Sequence, residues 1–196
     1  MKWQNDLVRD IRFHDDRDDI DDPRKFGYKL THKIHKEFSD DNAKILSEVI
    51  DRFKPQTYVE IGVHRNGQDS STCIIHSKMR PGDIYLGVDL EDKSFLHSEN
   101  IYTIKTNSSN YQAVTDYMNE IGMKSIDLLF IDGWHSINQV LDDWEYSRLL
   151  SKNGVVCFHD TTFHFGPKMF LENLSEKYIV EKYCEHDYGI GVCYEA

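Results

Sequence analysis

Two short stretches carry most of the chemistry legible in this chain. Ile126-Asp127-Leu128-Leu129-Phe130-Ile131-Asp132-Gly133-Trp134-His135 closes an apolar run with a carboxylate and then an imidazole, and Val155-Val156-Cys157-Phe158-His159-Asp160 closes a second run with the same two side-chain types. If both runs are parallel neighbouring strands, about 4.8 Å apart, their C-terminal tips bring Asp132 and Asp160 to one point. Two carboxylates meeting there repel, and a hard divalent cation such as magnesium would hold them together. Such a cation can bind two substrate oxygens and lower the pKa of one hydroxyl. His135 follows Asp132 by three positions, at the start of a helix, and an imidazole titrating near its ordinary pKa suits a general base. His159 precedes Asp160 on a strand, so alternation turns it away and gives it a structural role. His164, in the next loop, is a candidate for substrate contact. Trp134, between two polar candidates, is expected to wall a cofactor or substrate.

A second constellation lies earlier in the chain. Glu60-Ile61-Gly62-Val63-His64-Arg65-Asn66-Gly67 follows one apolar strand and precedes a helix, so Gly62 can bring backbone close to a ligand while Glu60 accepts a bond from it. Packing a strand onto a helix would by itself also require such a glycine turn. Gly87-Val88-Asp89 ends the next strand in a carboxylate placed to take both hydroxyls of a ribose. Lys105-Thr106-Asn107-Ser108, after a third strand, can border an adenine edge or cap a helix. Gly-x-Gly-x-x-Gly is absent, and so is a phosphate loop of the Gly-x-x-x-x-Gly-Lys-Ser/Thr type, which argues against dinucleotides and nucleoside triphosphates.

The elements that would position these groups alternate. Apolar runs at 57–61, 84–88, 101–104, 126–131 and 155–158 suit strands buried on both faces, and helical segments are expected near 69–79, 110–121 and 137–150. Ile45, Leu46, Val49, Ile50 and Phe53 make a helix stopped at Pro55. Ser109 to Gln112 and Ser136 to Gln139 read as capping boxes. Ile137, Val140, Leu141 and Trp144 form an apolar helical stripe that belongs in the core. The tail, 178–183 and 190–194 around Glu185-His186-Asp187-Tyr188-Gly189, predicts an antiparallel pair. The sum is an α/β protein with a seven-stranded, mostly parallel sheet and a C-terminal antiparallel hairpin.

Composition narrows the partners. The chain has 196 residues with a formal charge of −11, and its average surface repels phosphate backbones and anionic membranes. Neither nucleic acid nor membrane is expected as a partner, and without a signal-like start or a long apolar run the location read from sequence is cytoplasmic. Cys73, Cys157, Cys184 and Cys193 lack metal-ligand spacing and read as free, buried thiols. Residues 1–42 include the acidic run Asp15 to Pro23 and are read as an arm. Tyr28, His32 and His35 could share a helix face over the site, and residues 43–196 form the domain.

On these motifs the chain resembles the class I S-adenosylmethionine-dependent methyltransferases, over roughly residues 43–194. Glu-Ile-Gly-Val-x-Arg, the Gly-Val-Asp strand end, Ile-Asp-Gly-Trp-His-Ser and Val-Val-Cys-Phe-His-Asp-Thr carry the resemblance, which is nearest to macrocin-type sugar O-methyltransferases and cephalosporin-hydroxylase-like proteins. It implies a Rossmann-like fold with S-adenosylmethionine and Mg²⁺ as cofactors. Glu60, Gly62 and His64 would cradle the amino-acid end of S-adenosylmethionine, Asp89 its ribose, and Asn107 and Ser108 its adenine, with Asp132 and Trp134 also at the cofactor. Asp132, Asp160 and Thr161 would hold the metal, and His135, at the position of a catalytic lysine in catechol enzymes, would be the base. The acceptor implied is a sugar or glycan hydroxyl. A small catechol or polyketide hydroxyl, a metal hydrolase and a noncatalytic ligand-binding module are the alternatives.

Overall fold

The computed structural model describes residues 38–63, 70–162 and 164–196. The readings of Asp15 to Pro23, of Tyr28, His32 and His35, and of His64 fall outside the described residues.

Helix α1 (Asp40–Phe53) starts where Ser39 Oγ accepts the Asn42 amide at 3.2 Å, and it stops at Lys54, which takes a left-handed φ of 49° ahead of Pro55. Its apolar face, Leu46, Val49 and Ile50, is buried. Full burial of one such side chain contributes about 1.5–3 kcal/mol, so the face holds the helix to the sheet without help from propensity. Phe38 and Asn42 are buried with it, so the packed domain reaches ahead of the boundary at residue 43 read from the sequence.

The chain continues through β1 (Thr57–Ile61), α2 (Ser71–Lys78), β2 (Ile84–Asp89), β3 (Ile101–Lys105), α3 (Tyr111–Glu120), β4 (Ile126–Ile131), α4 (Ile137–Trp144), β5 (Leu150–His159), α5 (Phe165–Glu172), β6 (Tyr178–Tyr183) and β7 (Ile190–Glu195). The seven strands lie in the order β3-β2-β1-β4-β5-β7-β6, parallel except for β7, which is antiparallel to both β5 and β6. This is the mixed sheet expected from the sequence. One core layer packs β-strand residues such as Ile61, Ile131 and Phe158 against α3, α4 and α5, and the other packs Tyr58, Phe130 and Cys157 against α1 and α2. Trp144 lies in the first layer, as its helical stripe requires.

Local departures have local causes. The expected helix over 137–150 is α only to Trp144 and continues as a 3-10 turn over Glu145–Leu149. Strand β5 begins at Leu150, with a register irregularity between Ile126 and Leu128 of β4 that absorbs its polar start. Ser136 caps α4 as read, its Oγ accepting the Gln139 amide at 3.2 Å. At α3 the cap is Asn110, one residue later than the Ser109 reading. All four cysteines are free, but only Cys157 and Cys193 are buried. Among the described residues no helix is long and apolar enough to cross a membrane.

Candidate active site

Strand order reverses direction between β1 and β4, and in open α/β sheets a crevice opens at such a switch point beyond the strand ends. Here the crevice is a cleft of about 650 Å³ lined by the ends of β1, β2, β3 and β4 and by the start of α4. Gly62, Asp89, Asn107, Ser108, Asp132 and Trp134 all line it. The volume is in the range of cofactor and drug-sized ligands.

Gly62 makes the close approach. It has φ 83°, and a Cβ there would collide with the Asp132 carbonyl oxygen, so only glycine lets the β1 turn touch the tip of β4. Asp89 spans the next gap: its Oδ2 accepts the Val63 amide and its Oδ1 the Glu91 amide, both at 2.8 Å. Asn107 Oδ1 accepts the Ser109 amide at 2.9 Å, and Ser108 Oγ accepts from Gln139 Nε2 at 2.9 Å. The same Gln139 nitrogen donates to Asp143 at 2.8 Å, so α4 fixes the far wall of the cleft. Burial pushes the Asp143 carboxyl up to about 7, against the pull of Ser108 and Gln139. Trp134 remains 45% exposed on the cleft rim.

Glu60, expected to bond a ligand directly, does not line the cleft. It is fully buried, and its carboxyl accepts from the hydroxyls of Ser71, Thr72 and Tyr85. Burial pushes it up to about 7 although these hydroxyls pull it down. The glutamate therefore ties β1 to the N-terminus of α2 and to β2, which positions the glycine turn above it. A single sequence shows the charge at the strand end but not the hydroxyls that arrive from two other elements.

Beyond Asp132 the cleft meets a cluster of imidazoles and carboxylates. Parallel register pairs Ile131 with Phe158, so the next residues in line are Asp132 and His159, and both turn toward the α1 side of the sheet. His159 Nδ1 lies 3.1 Å from Asp132 Oδ1 and 3.5 Å from Asp160 Oδ1. This corrects the reading of His159 as turned away from Asp160. Alternation fails because Asp160 leaves the strand with φ 60°, a conformation uncommon outside glycine, which swings its carboxylate back toward its neighbour. Aligning the two apolar runs on their last apolar residues, Ile131 and Phe158, would have found the pairing in the sequence.

His135 faces this cluster and is absent from the cleft wall. Its Nε2 lies 2.6 Å from Asp160 Oδ2, an ion-pair contact, and 3.9 Å from Asp132 Oδ1. A glycine sets its place: a Cβ on Gly166, in the first turn of α5, would collide with the His135 carbonyl oxygen. His164 stacks on the His135 ring, with centroids 3.8 Å apart and planes at 18°. Thr161, the expected third metal ligand, is buried against Gly189 and Gly191 of the β6–β7 hairpin. The turn at Asp160 points the following residue there.

The electrostatics follow from this packing. Burial lowers the His135 pKa, but Asp160 and Asp132 outweigh it and hold the ring up at about 9. Burial likewise opposes the charge on His159, and the same two carboxylates raise it well above the usual imidazole range. Asp160 is held well below the ordinary carboxylate range despite its burial, by His159 and His135, and Asp132 is lowered by His159 in the same way. A histidine protonated at neutral pH is an acid, so the expectation of an imidazole near its ordinary pKa does not describe this arrangement without a cation.

Among the described residues two donor sets could receive a metal: Asp132, His159 and Asp160, and His135, Asp160 and His164, with the ligand atoms of each set within 4.8 Å of one another. Asp160 is 5% exposed and its Oδ1 has no hydrogen bond. A buried carboxylate oxygen whose nearest donor, His159 Nδ1, stays 3.5 Å away is poorly satisfied, and a cation would satisfy it. The residues present fit a metal on that ground.

A family model described as a methyltransferase domain matches residues 59–161, more than half of the chain. The chain belongs to this methyltransferase-domain family. Among solved structures it is similar to the MycE methyltransferase of the mycinamycin biosynthetic pathway, in complex with Mg, SAH and mycinamycin VI. That match has a TM-score of 0.58 at 13% identity and covers 89% of this chain and 53% of that one. It is also similar to the O-methyltransferase TomG from Streptomyces achromogenes, involved in tomaymycin synthesis and solved with SAM, with a TM-score of 0.58 at 12% identity, covering 88% of this chain and 85% of that one. The chain spans about half the length of the MycE chain, and at such identities the likeness concerns the fold. A comparison with curated proteins finds no significant match.

Proposed function

We propose that the chain is an S-adenosylmethionine-dependent O-methyltransferase that moves the cofactor's methyl group to a hydroxyl of a sugar or glycan, with a divalent cation assisting. The observation that carries this reading is the continuity of the cleft. It runs from Asn107 and Ser108, past Asp89 and Gly62, to Asp132 and Trp134, and the His/Asp cluster stands directly beyond its Asp132 end. Asn107 and Ser108 border the adenine, Asp89 takes the ribose hydroxyls, and the Gly62 turn holds the amino-acid end, with Glu60 fixing that turn from below. Trp134 on the rim covers the cofactor where it meets the acceptor.

In the reaction the acceptor oxygen attacks the sulfonium methyl in line, the carbon–sulfur bond breaks, and S-adenosylhomocysteine leaves with its sulfur neutral. The hydroxyl proton goes to His135 Nε2, which must be neutral to accept it. Asp132 and Asp160 both raise that ring, so their charge has to be engaged elsewhere during turnover. Asp132 and Asp160, with His159 beside them, would hold the cation. Bound there, it would supply positive charge that orients the acceptor hydroxyls, lowers their pKa and offsets the field on His135. Orientation matters most, because an in-line displacement gains more from near-attack positioning than from covalent help.

The test is incubation with methyl-labelled S-adenosylmethionine and a panel of sugar, glycan, catechol and polyketide hydroxyls. Label in a sugar or glycan supports the acceptor class, and label only in a catechol or polyketide moves it. A metal hydrolase remains the second reading because the cluster is richer in histidine than the sequence led us to expect. Hydrolysis of an ester or phosphoester panel without consumption of S-adenosylmethionine would favour it.

A further inference from the structure

We propose that the metal centre is built around a nitrogen ligand, His159 Nδ1, and therefore selects a nitrogen-accepting first-row divalent ion such as cobalt(II), iron(II) or zinc over magnesium. The inference rests on reading the Asp132–Asp160 cluster as the metal-assisted end of the methyltransferase cleft. Magnesium is a hard ion that favours oxygen ligands and keeps several waters, whereas imidazole suits iron, nickel, copper and zinc. Of the three side chains that converge here, Asp132 and Asp160 supply oxygen and His159 supplies nitrogen.

The second observation is behind the ring. His159 Nε2 lies 3.0 Å from Nδ2 of Asn42, a side chain from α1 that is wholly buried and whose Oδ1 has no hydrogen bond. With the amide nitrogen donating to Nε2, the ring is neutral and its one proton sits on Nδ1, pointing at Asp132 Oδ1 3.1 Å away; the protonated ring that the two carboxylates favour without a cation needs the other amide orientation. Rotating the amide by half a turn puts Oδ1 against Nε2. That nitrogen then carries the proton and donates it to Asn42, and the Nδ1 lone pair faces Asp132 and Asp160. Asn42 can thus serve both tautomers, one closing the carboxylate–imidazole pair and one opening it for a cation. Phe38 and Tyr188 flank the ring, with centroids 5.2 and 5.9 Å away, and hold its plane in either state. Ligating histidines depend on such a partner on the far nitrogen, and losing it typically costs about 10- to 100-fold in metal affinity. Asn42 is here a positioning residue.

Cobalt(II) is the probe, added to the 196-residue protein without cofactor or acceptor. Proton NMR of the loaded protein in water should show a strongly shifted, solvent-exchangeable imidazole N–H from His159 Nε2, and it should vanish in His159→Gln. Calorimetry should show Asn42→Leu weakening cobalt binding by about 10- to 100-fold, with Asn42→Asp restoring it. His159→Glu should shift the ratio of cobalt to magnesium affinity toward magnesium. No shifted N–H in the parent overturns the proposal, and so does a signal that survives His159→Gln, because the nitrogen ligand is then His135 or His164. If His159→Gln does not fold, the parent spectrum and the Asn42 pair still decide. Titration of S-adenosylhomocysteine into the same protein reports the methyltransferase reading separately, so one can fail without the other.

Discussion

The two ends of the cleft handle buried charge in opposite ways. At the β1–β2 end, Asp89 is satisfied by the amides of Val63 and Glu91, and Glu60 is wrapped by three hydroxyls. Each carboxyl there has its donors within the fold. At the β4–β5 end, Asp132, Asp160, His135 and His159 face one another, Asp160 Oδ1 lacks a hydrogen bond, and Asp160 sits in a strained left-handed conformation. The first end is complete and can act as a template for a ligand that does not react. The second is incomplete until something arrives, which is where strain and unsatisfied charge concentrate in functional sites.

Substitutions can break this contrast, because each end should fail in its own way. The largest effect is expected for His135→Ala, which should slow single-turnover methyl transfer by roughly 10²- to 10⁴-fold and leave S-adenosylhomocysteine affinity unchanged. Retention of the parent rate would reassign His135 to holding Asp160. Asp160→Asn comes next. Asparagine tolerates positive φ better than most residues, so the turn should survive, but losing the buried charge that His135 and His159 face should lower the thermal midpoint while transfer falls at least about tenfold, 1.4 kcal/mol in the barrier. Circular dichroism melting and the same single-turnover assay check both halves of that statement.

Asp89→Ala should show the reverse pattern. Cofactor affinity should fall at least about tenfold by calorimetry, while the rate at saturating cofactor is retained. Losing the acceptor of the Val63 amide should also cost about 1 kcal/mol of stability, which the strand-tip position alone did not suggest. The smallest effect belongs to Glu60, whose folded pKa of about 7 lies above its ordinary 4.5. A group raised in this way contributes stability that is fully present below the unfolded pKa and lost as pH rises through the folded one. Between about pH 4.5 and 7 the parent should lose thermal stability relative to Glu60→Gln, and above that range the difference between them should level off. A difference that stays flat from pH 4 to 8 would show that Glu60 is ionised in the fold.

The sequence carried more of the template than of the reacting end. Strand runs such as Ile126 to Ile131 and the Ser136 cap announce themselves through periodicity and local chemistry, and the tips of β1 to β4 follow once the strands are placed. What Glu60 bonds to, and where His159 points, depend on contacts between elements far apart in the chain: Ser71 and Tyr85 for the one, Asp132 and Asn42 for the other. Strand alternation gave the wrong direction for His159 because it holds only while the backbone stays extended, and Asp160 does not. Thr161 was read as a ligand from the resemblance and not from alternation, and the turn at Asp160 leaves it buried against Gly189 and Gly191.

Calorimetric titration of S-adenosylhomocysteine into the parent, Asp89→Ala and Asp160→Asn tests the division of the cleft most directly, since the product of methyl transfer is the same for every acceptor. The account predicts saturable one-to-one binding to the parent, affinity weakened at least about tenfold in Asp89→Ala, and affinity unchanged in Asp160→Asn. Absence of binding to the parent at millimolar ligand, or equal losses in the two variants, would contradict it.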